Sequence, residues 1–214
     1  MRKTPLIRRQ VIIFLILVLS SYLIALLIAI ALNPPFLANI FGFLSLLVYV
    51  VTVLPSILKK VFPQSKKDKI LNWLLKYRRY TGVAAFGFGL NHGVLLTLQR
   101  QLDLLDPQTY LHYFQGGASL VIFTLLAITS NDQTVKLLKT NWRKLHRLTY
   151  LAIFLLPWHV LDKMANHWSH LTPFAVLISV STAVLFMRRK QLEQLEENIQ
   201  SKVKKTNRLP ANKV

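Results

Sequence analysis

Six long apolar blocks, separated by short polar connections, dominate the pattern of this chain. They lie at about 11–32, 36–58, 80–98, 114–130, 142–161 and 171–187. A helix needs about 20 mostly apolar residues to cross the hydrocarbon of a bilayer, so each block predicts one membrane-spanning helix. Pro34 and Pro35 predict a tight link between the first two spans, because proline neither continues a helix nor donates a backbone hydrogen bond. The expected fold is an all-α integral membrane bundle of six transmembrane helices at 11–187, with tails at 1–10 and 188–214.

The positive charges predict the orientation of this bundle. All but two of the 27 Lys and Arg residues fall in the N-terminal tail, in the second and fourth connections and in the C-terminal tail. The two exceptions, Arg100 and Lys163, lie in the opposite connections. Connections rich in Lys and Arg remain in the cytoplasm, so we expect both termini to be cytoplasmic.

Composition supports the membrane class and excludes several others. The chain is 53% hydrophobic yet carries a formal net charge of +19, which a soluble domain with one core accommodates poorly. The charges lie between apolar blocks rather than on one face, which argues against a nucleic acid partner. The N-terminal charges resemble a signal peptide, but the apolar run to Leu32 is too long and lacks a clear cleavage site, so it predicts a retained first span. Lipid is therefore an expected partner.

Two polar segments predict further helices outside the hydrocarbon. Residues 69–77 mix apolar side chains with lysines, which is typical of an amphipathic helix in the inner interface. The tail from Gln191 pairs Glu with Lys along a helical pattern and predicts a solvated helix. No glycine-rich phosphate loop follows a strand pattern, and residues 188–214 are too few for a flavin or nicotinamide domain. Any electrons are therefore expected to come from a separate donor.

Three histidines lie in apolar segments, where a polar imidazole is costly and usually functional. His92 lies 13 to 14 residues beyond Arg78 and Arg79 at the inner boundary, and His159 lies 13 residues beyond His146. At a rise of 1.5 Å per residue, His92 and His159 are both about 20 Å outward. Two imidazoles at one depth on facing helices can ligate one haem iron. The alternative is that these histidines only form hydrogen bonds inside the bundle.

The inner level holds a second candidate site. His146 lies there beside basic residues, and Arg78 is on the same helical face as His92, because 14 steps of 100° return to within about 40° of it. Arg78 could pair with a haem propionate, bind a flavin phosphate, or only follow the positive-inside rule. Gly89 and Gly93 beside His92 could admit a flat macrocycle or only allow close helix packing.

The chain has no cysteine, so iron–sulfur clusters and covalently attached c-type haem are excluded. A haem in this chain would be held without a covalent attachment. Histidines and carboxylates of the outer connections could instead gather ferric or cupric ions for direct reduction. These residues are Asp103, Asp106, His112, Asp162, His167 and His170. A third possibility is a membrane scaffold or assembly factor without a cofactor.

Three segments resemble the ferric-reductase-like transmembrane domain family. They are RRYTGVAAFGFGLNHGV, LAITSND and NWRKLHRLTYLAIFLLPWHVL. The resemblance implies that His92, His146 and His159 are ligands of b-type haem iron, with one haem b expected and a second left open. Larger relatives have a second histidine in the third span, where Arg78 stands here.

Within that family, the chain is most similar to haem-binding membrane subunits of periplasmic methionine sulfoxide reductases. The resemblance implies an oxidoreductase subunit in the bacterial inner membrane. A cytoplasmic flavin reductase or quinol would be its electron donor, and a reductase subunit on the outer side would be its acceptor. FMN or quinone would then be a further cofactor. The expected function is therefore electron transfer across the membrane.

Overall fold

The computed structural model describes residues 36–103, 105–164 and 169–206, together with residues 23, 27, 31 and 32. Its described part contains no strand, so the all-α prediction is confirmed. A 3-10 turn at Pro63–Lys67 follows the first helix. The α-helices are α1 (Leu37–Val61), α2 (Lys69–Gln99), α3 (Pro107–His112), α4 (Phe114–Ile128), α5 (Asp132–Leu138), α6 (Thr140–His146), α7 (Thr149–Met164) and α8 (Thr172–Thr206).

Three of these helices are long and apolar enough to cross a membrane: α1, α2 and the Thr172–Lys204 part of α8. Helices α4 and α5 form a fourth candidate together, although the chain bends by 96° between them. The link at Pro34 and Pro35, and nearly all of the first apolar block, lie outside the described residues. The count of six spans and the cytoplasmic position of the termini therefore stay predictions.

The segment at 69–77 was predicted as an interfacial helix of its own. It forms instead the first turns of α2. The Asp68 carboxylate caps this helix, since it accepts hydrogen bonds from the backbone N–H groups of Ile70 and Leu71 at 2.7 and 3.0 Å. With 31 residues, α2 is about 46 Å long, which exceeds the roughly 30 Å of bilayer hydrocarbon. One helix therefore serves as both the span and the amphipathic segment.

The fifth apolar block is broken rather than continuous. Helix α6 ends at His146 and α7 begins at Thr149, and the turn between them is built from i→i−3 hydrogen bonds. Two of these join the Leu148 N–H to the Leu145 carbonyl at 3.0 Å and the Tyr150 N–H to the Arg147 carbonyl at 2.9 Å. His146 and His159 therefore belong to different helices.

Helix α8 joins the sixth apolar block to the tail. It runs for 35 residues without a break, so the helical tail predicted from Gln191 is confirmed. An ion pair between Arg189 and Glu193 at 2.7 Å lies along it, and the ammonium of Lys60 on α1 pairs with the Glu196 carboxylate.

Five helices close a ring around the interior. Helix α1 packs against α2 and α8, α7 packs against α8 and α4, and α4 packs against α2. Helix α1 contributes the residues that recur at helical spacing and are nearly fully buried, Leu46, Tyr49, Val53 and Ile57. The Ser45 hydroxyl also donates a hydrogen bond of 2.8 Å to the Ala85 carbonyl on α2. This ring leaves a cavity toward each end of the bundle.

Candidate functional site

His92 on α2 and His159 on α7 face each other inside the ring. Their ring centres are 6.3 Å apart, and their planes are inclined by 76°. Two imidazoles that bind one metal ion from opposite sides, each at about 2 Å, have ring centres about 6 Å apart. The observed separation therefore suits a single ion held between the two rings.

The backbone of α1 orients one of these rings. The Nδ1 atom of His92 lies 2.7 Å from the Ala38 carbonyl oxygen, which can only accept a hydrogen bond. Nδ1 therefore carries the proton and donates it, and the Nε2 lone pair is left for a metal. A histidine ligand commonly has its second nitrogen fixed in this way.

Two glycines make room for the two rings. A Cβ on Gly42 would lie 2.9 Å from Nδ1 of His92, and a Cβ on Gly116 would lie 2.8 Å from Cε1 of His159. Real Cβ atoms essentially never approach so closely, so each imidazole lies against a bare helix backbone. Gly89 and Gly93, which the sequence indicated as room for a macrocycle or for close helix packing, do not make room for either imidazole in this way. A Cβ on either would meet a side chain of a neighbouring helix.

We call the space around these rings the histidine cavity. It encloses about 150 Å³. Its lining includes His92, His159, Gly42, Gly116, Ser45, Ser119, Phe123, Ala175 and Arg100. Arg100, which is the charged residue among the described lining residues, donates a hydrogen bond of 3.0 Å to the Tyr113 hydroxyl. The two imidazoles are suitable ligands for a haem iron. Ligand cavities usually measure about 300–1,000 Å³, so the lining side chains would have to move outward to admit the macrocycle.

A larger space, the basic cavity, lies toward the other end of the bundle and encloses about 600 Å³. Its cations are Lys76, Arg78, Arg79, Arg143 and Arg147, its aromatic residues include Tyr49, Tyr77, Tyr80, Trp142 and Tyr150, and it also contains His146. None of the described lining residues carries a carboxylate. The structure thus brings Arg78 and His146 into one cavity, which is suited to an anionic aromatic ligand.

Within the basic cavity, His146 is held by Thr129 and Trp142, neither of which the sequence pattern indicated as part of the site. Its Nε2 atom lies 3.2 Å from the Thr129 hydroxyl, and the Trp142 ring stacks on it with ring centres 3.9 Å apart. The Trp142 indole N–H also donates to the Thr129 carbonyl at 2.9 Å. No second histidine is among the described residues of this lining, so a pair of imidazoles is not formed there.

The two arginines at the start of the third block differ in their partners. Arg79 forms an ion pair of 2.6 Å with Asp132, and this hydrogen bond and charge lower the pKa of the Asp132 carboxyl. Arg78 makes no ion pair with a described carboxylate. Its guanidinium is therefore the one of the pair that is available to an anion in the cavity.

The outer residues proposed for direct metal reduction do not assemble in the part of the chain that the structure covers. No group of three or more His, Asp or Glu side chains there could hold a metal ion. The carboxylates of Asp103 and Asp106 accept hydrogen bonds from nearby backbone N–H groups, at 2.8 and 3.0 Å. His112 packs against Tyr113, while His167 lies outside the described residues.

Residues 41–157 match the model of the family described as ferric reductase like transmembrane component. The chain belongs to this family. The matched region includes His92 and His146 and ends two residues before His159. It also includes Gly42, Gly116, Thr129 and Trp142. No solved structure matches the chain.

Part of the chain is similar to curated proteins that share the same name. The protein-methionine-sulfoxide reductase heme-binding subunit MsrQ of Agrobacterium fabrum is 37% identical over 88 residues, which cover 37% of this chain and 40% of the relative. The MsrQ proteins of Rhizobium meliloti and Brucella anthropi are 36% and 34% identical over 86 and 84 residues, covering 38% and 37% of this chain and 39% and 38% of the relatives. The chain thus aligns with about two fifths of the length of each of these relatives.

Proposed function

We propose that this protein is a membrane subunit that carries electrons through haem b bound between His92 and His159. The observation that supports this proposal most strongly is the separation of the two ring centres, 6.3 Å, across the interior of the bundle. The similar MsrQ proteins are named as heme-binding subunits, which supports the same cofactor here. The proposed arrangement has six spans at 11–187, both ends in the cytoplasm and the histidine cavity toward the outer side.

The residues of the histidine cavity suit electron transfer rather than chemistry on a substrate. A bound haem b would supply an iron centre that gains and loses one electron. His92 and His159 would both hold this iron, so it would carry electrons rather than bind a substrate. The Ala38 carbonyl holds the His92 ring in its orientation, and Gly42 and Gly116 let both rings approach the helix backbones.

The basic cavity is proposed as the point of electron entry. Arg78 would bind the phosphate of FMN or another anionic group, and the aromatic side chains would stack on a planar ring. His146 would offer Nδ1, because Thr129 already contacts its Nε2. Nδ1 would form a hydrogen bond with a flavin, or ligate the iron of a second haem. A quinone or a second haem is the alternative occupant, and the lack of a second imidazole in the described lining favours the flavin.

The proposed donor is a flavin reductase on the cytoplasmic side or a quinol in the membrane. The proposed acceptor is a methionine sulfoxide reductase subunit on the outer side of a bacterial inner membrane. This assignment is supported by the name that the MsrQ relatives carry. The excess of cations around the basic cavity would also attract an acidic or phosphate-bearing donor.

Redox-difference spectroscopy of the purified protein tests the haem proposal. We expect a b-type spectrum that His92→Ala or His159→Ala abolishes, while His146→Ala removes at most a second component. His112→Ala serves as the matched control, because this histidine is outside the described linings of both cavities. A wild-type protein without any b-type haem spectrum would overturn the electron-transfer proposal.

A further inference from the structure

The two cavities meet at one side chain. Of the described residues, Phe123 alone lines both the histidine cavity and the basic cavity. Its exposed fraction is 7%, so the ring is enclosed by the bundle rather than by lipid. The two spaces therefore approach each other through the body of the protein.

One face of α4 runs along both cavities in order. Gly116 and Ser119 line the histidine cavity, Phe123 lines both, and Leu126 lines the basic cavity. These residues are spaced by three or four positions, which keeps them on the same side of a helix. Phe123 thus occupies the middle of a continuous line of side chains, with a different cavity on each side.

The phenyl ring is fixed from a second helix. The ring of Tyr49 on α1 lies against it with centres 5.2 Å apart, and Tyr49 is itself 3% exposed. The Tyr49 hydroxyl donates a hydrogen bond of 2.7 Å to the Thr149 carbonyl at the start of α7. This bond holds the tyrosine ring, and the tyrosine ring supports Phe123. The pair therefore connects α4, α1 and α7 at the level between the cavities.

We infer that the Phe123 ring, supported by Tyr49, is the partition that keeps water and ions of the basic cavity out of the histidine cavity. A protein with cavities toward both ends of a membrane bundle needs an apolar barrier between them, because an ion is costly to transfer into an apolar layer. An electron can cross such a layer without a water path. The partition is inferred from the cavities themselves and holds whichever cofactors they bind.

Single cysteines can locate this barrier, because the chain has no cysteine of its own. We would compare Ser119→Cys, Phe123→Cys and Leu126→Cys in sealed vesicles of both orientations, using a maleimide that cannot cross the membrane. Ser119→Cys should react only from the side of the histidine cavity, and Leu126→Cys only from the side of the basic cavity. Phe123→Cys should react from both sides, because the substitution removes the ring. Reaction of Phe123→Cys from only one side, or from neither, would overturn the proposal.

A second series tests the ring without changing the labelled position. In Ser119→Cys combined with Phe123→Ala, labelling from the side of the basic cavity should rise from background to the rate found for Leu126→Cys. In the matched Phe123→Leu background it should stay at background. A monodisperse gel-filtration profile in detergent reports that each variant is folded. Unchanged labelling with Phe123→Ala, or leakage with the native phenylalanine, would contradict the inference.

Discussion

Gly116 lies so close to His159 that a Cβ on it would be 2.8 Å from the imidazole Cε1 atom. This contact joins α4 to α7 and determines where the imidazole can lie. A neighbouring glycine, Gly117, has open space where its Cβ would be. A comparison of the two positions therefore shows whether glycine is needed for the contact with His159 or for α4 in general.

We expect Gly116→Ala to displace the His159 ring and to remove most of the haem absorbance. Overpacking of this kind typically costs about 1–3 kcal/mol. Gly117→Ala should leave the spectrum unchanged. The measurement is the reduced-minus-oxidised spectrum per mole of purified protein. Equal spectra for both variants would show that the contact at Gly116 does not control the site.

We expect Arg78→Gln to weaken the binding of FMN by about tenfold or more, because a hydrogen bond to a charged group contributes about 1.5–3 kcal/mol. Arg79→Gln should have a smaller effect, since the Arg79 guanidinium already pairs with Asp132. Quenching of flavin fluorescence by the purified protein provides both dissociation constants. Equal losses for the two variants would contradict a specific role for Arg78.

We expect Lys139→Gly to stabilise the turn between α5 and α6. Lys139 has φ of 47°, which a residue with a Cβ adopts only with strain of about 1 kcal/mol or more. The matched variant is Lys136→Gly, which removes the same charge from within α5 and should cost about 1 kcal/mol. Thermal unfolding in detergent measures both. A lower midpoint for Lys139→Gly than for the native protein would refute this interpretation of the turn.

We expect Tyr49→Phe to destabilise the protein by about 1–2 kcal/mol, because the Thr149 carbonyl loses its hydrogen bond from the tyrosine hydroxyl. Tyr80→Phe is the control, since Tyr80 is 70% exposed. The unfolding midpoint of each variant in detergent is the readout. A loss as large for Tyr80 as for Tyr49 would indicate that burial of the hydroxyl is not the cause.

Counting residues from the charged boundary was enough to predict the partners within each cavity. The rise per residue of a helix is constant, so His92 and His159 could be assigned to one depth without knowledge of the packing. The same argument assigned His146 and Arg78 to the other level, and the structure brings both pairs together. Their roles as cofactor ligands stay predictions.

Contacts between helices could not be predicted in the same way. Gly42 and Gly116 are distant from both histidines in sequence, and only the closed ring of helices brings them together. The break after His146 was missed because no proline or glycine interrupts residues 142–156, while the i→i−3 hydrogen bonds there depend on the fold. The union of 69–77 with α2 was missed because a change from amphipathic to apolar pattern does not end a helix.

Helix α8 has a consequence for access to the basic cavity. It lines the histidine cavity at Ala175, and at Arg189 it contacts Tyr150, which lines the basic cavity. The helix then continues for 17 more residues to Thr206, about 25 Å at the normal helical rise. A protein that approaches the basic cavity from this end meets a rigid projection first. Under the proposed function, a large donor protein would have to fit beside this helix, whereas a small diffusible donor would not.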